Sequence, residues 1–235
     1  MRRATLSRSL GVSFAALLGL LVFDFRATLN VQSSLSSYSI PGFLPSDEGL
    51  IPTNWGLQNG DKLGVYQVET EGENTFLRAE QGPDSSVRIG TKGGFRLQDF
   101  PILTWQWRVR QIPEGAREDE KSFNDSAAAV YVVFEQGFLE PVPKVLKYVW
   151  SSTLAKGTEV DSPSSHKVKV LVLESGSPED ENWVTEKVNV REDYRRLFGK
   201  EPTRVQYLAL MTDADDTKSF SAADYDEFRA LRTVD

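Results

Sequence analysis

The chain has 235 residues, of which 40% are hydrophobic and 26% are charged, a composition that fits one globular domain with a sizeable core. Its 34 acidic residues outnumber its 27 basic residues and leave a formal net charge of -7, so its surface repels phosphate backbones and nucleic acid is not an expected partner. The chain contains no cysteine and one histidine, which excludes disulfides, thiol nucleophiles, thiolate zinc sites and centres built from several histidines.

The first 32 residues have the layout of an export signal. Basic residues, among them Arg8, precede an apolar run from Leu10 to Phe23, and a basic region before a short apolar core is typical of such signals. The run is shorter than the ~20 apolar residues that cross a bilayer comfortably. We therefore expect an export signal or a membrane anchor, with the protein either periplasmic or held at the membrane by this segment alone.

The rest of the chain is predicted to consist of a linker and one β-rich domain. Residues 33–52 contain Ser, Gly and Pro and indicate the linker, which leaves 53–235 as the domain. Within the domain, residues 103–109 alternate between apolar and polar side chains, the period-two pattern of a half-buried strand. Trp105 and Trp107 lie on the apolar face of that strand and are predicted to pack in the core.

Other segments indicate further strands and one helix. Apolar runs at 127–134 and 205–211 are typical of central strands. A short helix is predicted from Glu192 to Phe198, closed by Gly199. The predicted fold is all-β: a two-sheet antiparallel sandwich of the jelly-roll or galactose-binding-like type, with one short helix, preceded by the N-terminal hydrophobic helix. The remaining predicted strands are 64–68, 75–79, 86–90, 147–151, 168–173 and 183–190.

Polar and aromatic side chains near these strands are candidates for ligand binding. Asn124 and Asp125 directly precede the run that starts at residue 127. They form either a turn that enters the strand or an amide and a carboxylate presented to a ligand at the mouth of the sandwich. Trp55 and Trp150 are expected to be free as surface platforms, of the kind that stack on sugar rings.

The densest acidic segment is Thr212–Thr217, which directly follows an apolar strand. Asp213 and Asp215 alternate along it, and alternating acids at a strand end can supply oxygen ligands to a hard cation such as calcium. A helix-loop-helix calcium site is excluded, because Lys218 stands where the sharp turn needs glycine. The alternatives that remain are a looser calcium site, with Asp213 and Asp215 as ligands, and an acidic turn whose carboxylates accept hydrogen bonds from nearby backbone amides.

The sequence contains no recognisable nucleophilic triad. His166 lies in a Ser-rich stretch, and its neighbour Ser165 would point away from it in an extended chain, so an exposed loop histidine is expected. A pair of carboxylates, with Asp125 and either Glu227 or Asp213 as acid and base, is permitted but no spacing rule supports it.

Several segments together resemble a known family. They are Leu103–Val109 (LTWQWRV), Ala128–Phe134 (AAVYVVF), Lys147–Ser151 (KYVWS), Glu192–Gly199 (EDYRRLFG) and Leu210–Thr217 (LMTDADDT). In combination they are similar to a bacterial exported family catalogued as domain of unknown function 3047, over roughly Thr53 to Phe228. The resemblance implies no established activity.

The function we expect is that of a non-catalytic binding domain of the cell envelope, with a polysaccharide as a candidate ligand. One alternative is an enzyme that acts on a glycan through carboxylates, and another is a structural or assembly factor that binds an envelope protein. The candidate ligand-binding residues are Asn124, Asp125, Trp150, Asp213, Asp215 and Glu227.

Overall fold

A computed structural model describes residues 36–58, 64–136 and 141–232. The segment predicted to direct export lies outside these ranges and stays a prediction. Within them, no helix combines the length and the apolar character needed to cross a bilayer.

Two sheets and one helix make up the regular structure of the described residues. The helix is α1 (Val190–Phe198). The strands are β1 (Ser37–Ser39), β2 (Gly56–Leu57), β3 (Tyr66–Glu71), β4 (Asn74–Gln81), β5 (Ile89–Lys92), β6 (Ile102–Gln111), β7 (Ala128–Phe134), β8 (Val145–Ser151), β9 (Glu159–Ser162), β10 (Ser165–Ser175), β11 (Val184–Asn189), β12 (Val205–Met211) and β13 (Ser221–Leu231).

The first sheet has the order β11-β6-β13-β4-β3, with β1 paired to β13, and the second has the order β2-β5-β12-β7-β8-β10-β9. The two-sheet prediction is therefore confirmed. Where the chain is described, neighbouring strands are antiparallel except β8 and β10, which are parallel. The prediction of a purely antiparallel sandwich was wrong at this pair, because β9 lies at the edge outside β10 and the chain reverses twice between β8 and β10.

Large aromatic side chains fill the space between the sheets. Trp105 and Trp107 are fully buried, as predicted, and their ring centroids lie 5.3 Å apart in an edge-to-face arrangement. Trp107 also packs edge-on against Trp150 of the second sheet at 6.0 Å. Because alternate residues of a strand point to opposite faces, this one stripe of β6 connects the two sheets.

The segment predicted to be a linker in part belongs to the sandwich. Residues 37–39 form β1 on the edge of β13, and Ile40 and Phe43 are buried in the main core. Ile40 and Phe43 are isolated apolar residues in a polar stretch, so periodicity does not reveal that they are buried. The compact unit starts at Ser36 rather than at residue 53.

Helix α1 contains the predicted segment and begins two residues before it. The side chain of Asn189 accepts a hydrogen bond from the Glu192 amide at 3.1 Å and so caps the first turn. Gly199 closes the helix with φ 68°, a left-handed conformation that glycine adopts without strain. Tyr194 packs against Phe134 at 4.5 Å between ring centroids, which places the helix on the main core.

Candidate functional site

Three strand ends of the second sheet meet at one place. Because β7 runs antiparallel to both β12 and β8, the start of β7 lies beside the ends of the other two strands. The amide of Asp213, just after β12, donates to the carbonyl of Ser126, just before β7, at 3.0 Å. The segment between β6 and β7 reaches the same place, since Thr153 beyond β8 donates to the carbonyl of Ala116 at 2.7 Å.

Asp125, Asp213 and Asp215 form an acidic cluster at this junction. One carboxylate oxygen of each lies within 4.8 Å of an oxygen of the other two. Asp125 is fully buried, and Asp213 is 8% exposed. The sequence predicted that Asp213 and Asp215 converge, and the strand order adds Asp125 from a segment about ninety residues earlier.

Asp125 holds the acidic loop in place. Its Oδ1 accepts a hydrogen bond from the Asp216 amide at 3.2 Å. Its Oδ2 accepts from the Thr217 amide at 2.7 Å and from the Thr217 hydroxyl at 2.6 Å. Backbone amides of this turn therefore donate to a carboxylate, as the turn alternative requires, but that carboxylate belongs to Asp125 and not to the loop itself.

Asp213 is the member of the cluster whose ionised form is disfavoured by its surroundings. Its Oδ1 is buried and has no hydrogen-bond partner among the described residues. Burial raises the pKa of the Asp213 carboxyl to about 8, helped by a hydrogen bond with Asp215 and by the charges of Asp125 and Asp215. Lys147 acts in the opposite direction and lowers this pKa. A buried carboxylate with an unsatisfied oxygen destabilises the folded state, so a proton or a cation bound at Asp213 would stabilise it.

Lys147 and Glu118 lie buried beside the cluster. The ammonium of Lys147 donates to Ser126 Oγ at 3.0 Å, and the Ser151 hydroxyl donates to Glu118 Oε2 at 2.6 Å. Glu118 is fully buried, its Oε1 is unpartnered within the described ranges, and desolvation raises its pKa. Sequence analysis missed both residues. The one signal was a lysine inside the otherwise apolar strand β8.

Ser126 and Lys147 have the composition of a serine–lysine dyad, but their electrostatics do not fit one. Burial alone would lower the pKa of Lys147, yet Tyr131, Glu118 and Asp213 together raise it above its usual value. An ammonium cannot take a proton from Ser126, so Lys147 acts as a counter-ion to the acidic cluster rather than as a base.

The other predicted site residues lie in different environments. Asn124 adjoins Asp125 and has a buried, unpartnered Oδ1 as far as the described residues extend. Trp150 is only 5% exposed and its indole donates to the carbonyl of Gly176, and Trp55 is also 5% exposed. The interpretation of these two tryptophans as surface platforms was wrong, because each ring is covered by residues from elsewhere in the fold. Trp150 packs on Trp107, and Trp55 packs on Phe43 and Phe228.

Glu227 lies away from the acidic cluster. It sits six residues along β13 from Ser221, the strand residue nearest the acidic loop, which is a separation of ~20 Å in an extended strand. There it adopts φ 57° at a bulge and lines a separate cavity with Asp226. Asp125 and Glu227 therefore cannot act as the acid and base of one reaction. His166 is exposed, as expected, although it lies at the start of β10 rather than in a loop.

The acidic cluster has the dimensions of a calcium site. Calcium takes carboxylate oxygens at about 2.3–2.6 Å, so two oxygens that share one ion lie at most ~5 Å apart. The 4.8 Å spread of the three oxygens meets this limit. When Asp213 is ionised, the three carboxylates and the one lysine beside them leave an excess of negative charge that a divalent cation can neutralise.

Fold and site together define a β-sandwich domain with a buried acidic cluster at one end of the second sheet. The chain belongs to the family described as protein of unknown function (DUF3047), whose profile matches residues 53–229. This confirms the family resemblance found in the sequence. A comparison with curated proteins gives no match.

Several solved structures are similar to this chain at low identity. A family 11 carbohydrate-binding module from Clostridium thermocellum, in complex with a mixed-linked tetrasaccharide, is 9% identical with TM-score 0.40, and the match covers 83% of this chain and 96% of the module. A family 30 carbohydrate-binding module of a cellulosomal cellulase from the same organism is 11% identical with TM-score 0.43, covering 74% and 87%. A xyloglucanase domain of an effector from Sinorhizobium fredii is 12% identical with TM-score 0.43, covering 84% and 97%. Such TM-scores do not establish a common fold.

Proposed function

We propose that the chain is an exported, non-catalytic ligand-binding domain of the cell envelope, and that a calcium ion held by Asp125, Asp213 and Asp215 is the centre of its binding site. The observation that carries this proposal is the buried Oδ1 of Asp213, which has no hydrogen-bond partner among the described residues and lies in a cluster whose carboxylate oxygens come within 4.8 Å of one another. We also propose that the sandwich is of the jelly-roll or galactose-binding-like type and that its ligand is a polysaccharide.

The balance of charge supports a divalent ion. Carboxylates held this close repel one another, and the repulsion is stronger in a buried site than in water. Lys147 provides one positive charge, but its ammonium is also shared with Glu118, as the raised pKa of the lysine indicates. A calcium ion would replace the proton on Asp213 and satisfy its Oδ1.

The neighbourhood of the cluster supports a binding role over covalent catalysis. Ser126 is held beside a protonated lysine, so Lys147 cannot serve as the base that activates it. His166, the one histidine of the sequence, is exposed on β10, a strand that pairs with β8 and β9.

A glycan-acting enzyme is the second candidate, and one observation favours it. With a pKa of about 8, Asp213 is protonated at neutral pH and lies against the Asp215 carboxyl group. A protonated carboxyl beside a carboxylate is the arrangement of a general acid and base. This candidate predicts the release of reducing ends from a polysaccharide, and the release should be lost in Asp213→Asn. Binding without any product excludes it.

Thermal unfolding of the full-length protein tests the calcium proposal. After a chelator has removed bound metal from the protein, added calcium should raise the melting temperature in a saturable manner, because the ion binds only to the folded state. The double variant Asp213→Asn with Asp215→Asn should lose this response. Asp99→Asn, which changes an exposed acid elsewhere, should keep it. The proposal fails if calorimetry detects no saturable calcium heat and if magnesium, calcium and monovalent salt act alike.

A further inference from the structure

A cavity of about 460 Å³ lies beside the acidic loop, at the ends of β4 and β6 and the start of β13. Phe220 and Ser221 line it, and they directly follow the loop that Asp125 holds. The opposite walls come from Glu80 and Gly82 at the end of β4 and from Arg110 at the end of β6. The cavity is thus separate from the acidic cluster but shares a segment with it.

Phe220 carries an aromatic ring that is exposed to solvent. It is 59% exposed. One edge of the ring lies against Gly82, where an added Cβ would be 3.0 Å from Phe220 Cε1. The absence of a side chain at residue 82 therefore leaves room for the ring at the cavity wall. A ring held in this manner adds little to the core and is available to stack on a ligand.

Planar polar groups face the cavity from β4 and β6. Arg110 pairs with Glu80 at 2.5 Å, and the Glu80 side chain is 58% exposed. Gln111 and Glu181, both exposed, also line the cavity. Carboxylate, amide and guanidinium groups pair with vicinal hydroxyls, whereas an aromatic ring packs on the apolar face of a sugar. Arg110, the one basic residue among the described residues that line the cavity, is paired with Glu80 and also lies 3.4 Å from Asp224, so its charge is already compensated and an anionic ligand is disfavoured.

The acidic loop connects this cavity to the cluster. Thr217 is bound by Asp125, and the Ser219 amide donates to the carbonyl of Ala214 at 3.1 Å. Lys218 between them has φ 55°, and its ammonium donates to the carbonyl of Pro83 at 3.1 Å, next to Gly82. Two residues, Lys218 and Ser219, therefore separate the clamp at Thr217 from Phe220. The position of the Phe220 ring thus depends on the conformation of this loop.

We propose that this cavity binds a neutral saccharide on the ring of Phe220, and that the cation at the acidic cluster strengthens this binding by fixing the loop that carries the ring. The inference rests on the proposed function, because it names the ligand class and the role of the ion.

Titration calorimetry on the full-length protein tests it, with cellohexaose, maltohexaose and chitohexaose as probes. In calcium, at least one probe should bind saturably. Phe220→Ala should weaken this binding about tenfold or more, as expected for loss of an aromatic anchor. Phe220→Tyr keeps the ring and should retain the affinity. Leu50→Ala, a matched truncation of a side chain that is 61% exposed elsewhere, should leave it unchanged. Chelation should weaken the binding of wild type.

The outcomes separate this inference from the calcium proposal. A calcium-dependent rise in melting temperature without binding of any probe overturns the saccharide cavity and leaves the calcium site standing. Equal affinity of Phe220→Ala and wild type places the ligand elsewhere and also overturns it. Saccharide binding that is unaffected by chelation overturns the coupling between ion and cavity, whereas the melting temperatures decide the ion site independently.

Discussion

At the scale of single residues, Asp213 supplies a carboxylate to the proposed ion site, yet its ionised form is disfavoured by burial. The residue is only 8% exposed, and its Oδ1 atom has no partner in the part of the chain that is described. Sequence patterning finds this residue because it alternates with Asp215 behind an apolar strand. The degree of burial and the charge of Asp125 nearby then set its protonation.

The raised pKa of Asp213 predicts a pH dependence of stability. The folded-state pKa is about 8, against ~3.9 for an unfolded chain, so the folded state binds the proton more tightly. The stabilisation is complete below the unfolded pKa and is lost as the pH rises through the folded one. In chelated protein, the melting temperature of wild type relative to Asp213→Asn should fall between about pH 4 and pH 8.

Melting curves of the two proteins in a chelating buffer measure this difference, and subtraction removes contributions from other groups such as Asp226. Calcium should flatten the wild-type dependence, because it replaces the proton. Parallel pH profiles for wild type and Asp213→Asn would show that Asp213 titrates normally in the fold.

At the scale of elements, the acidic loop depends on one side chain from another segment. Asp125 accepts three hydrogen bonds from Asp216 and Thr217, and two of them end on Oδ2. In the Asp125→Asn variant, an NH2 group replaces one carboxylate oxygen that accepts hydrogen bonds in the wild type. The substitution therefore removes both the negative charge and one acceptor. We expect a loss of about 1–3 kcal/mol in the free energy of unfolding.

Urea denaturation measures that loss, and amide hydrogen exchange should rise locally at residues 214–219. Asp161→Asn, an acid on the edge strand β9, serves as the control and should cost less than about 1 kcal/mol. Unchanged exchange in the loop of Asp125→Asn would mean that the loop holds its shape without the clamp.

Strand and helix predictions succeeded where the local pattern decides the outcome. The alternation in β6 and the closure of α1 by Gly199 are local features, and the structure bears them out. The local pattern does not predict strand β13, because the charged residue Asp224 lies among its buried residues. Arg78 and Arg108 on the neighbouring strands satisfy that carboxylate at 3.1 and 2.8 Å, and only the strand order brings them there.

At the scale of the whole molecule, the tryptophan stripe of β6 holds the two sheets together. Trp107 is fully buried, packs against Trp105 and Trp150, and donates its indole N–H to Glu186 at 3.2 Å. Trp107→Ala should destabilise the domain by about 3–5 kcal/mol. Chemical denaturation measures this change, with exposed Leu50→Ala as the control. A loss below about 1 kcal/mol would contradict the packing.

The export prediction concerns the whole chain and rests on residues outside the described ranges. If the basic and apolar N-terminal residues act as an export signal, as we predict, a reporter fused after Ser46 should be active only outside the cytoplasm. Activity of the fusion in the cytoplasm would refute this. Mass spectrometry of the N-terminus then separates a cleaved signal from a retained anchor.

The fold class, the helix, the tryptophan stripe of β6 and the pair Asp213 and Asp215 all follow from the sequence, because each depends on neighbours within a few positions. The complete acidic cluster does not, since Asp125 reaches it from the segment before β7 and its counter-ion Lys147 comes from β8. Burial of Trp150 under the opposite sheet escapes local patterning for the same reason. A period of two assigns a side chain to a face, but the packing of the second sheet decides whether that face is covered.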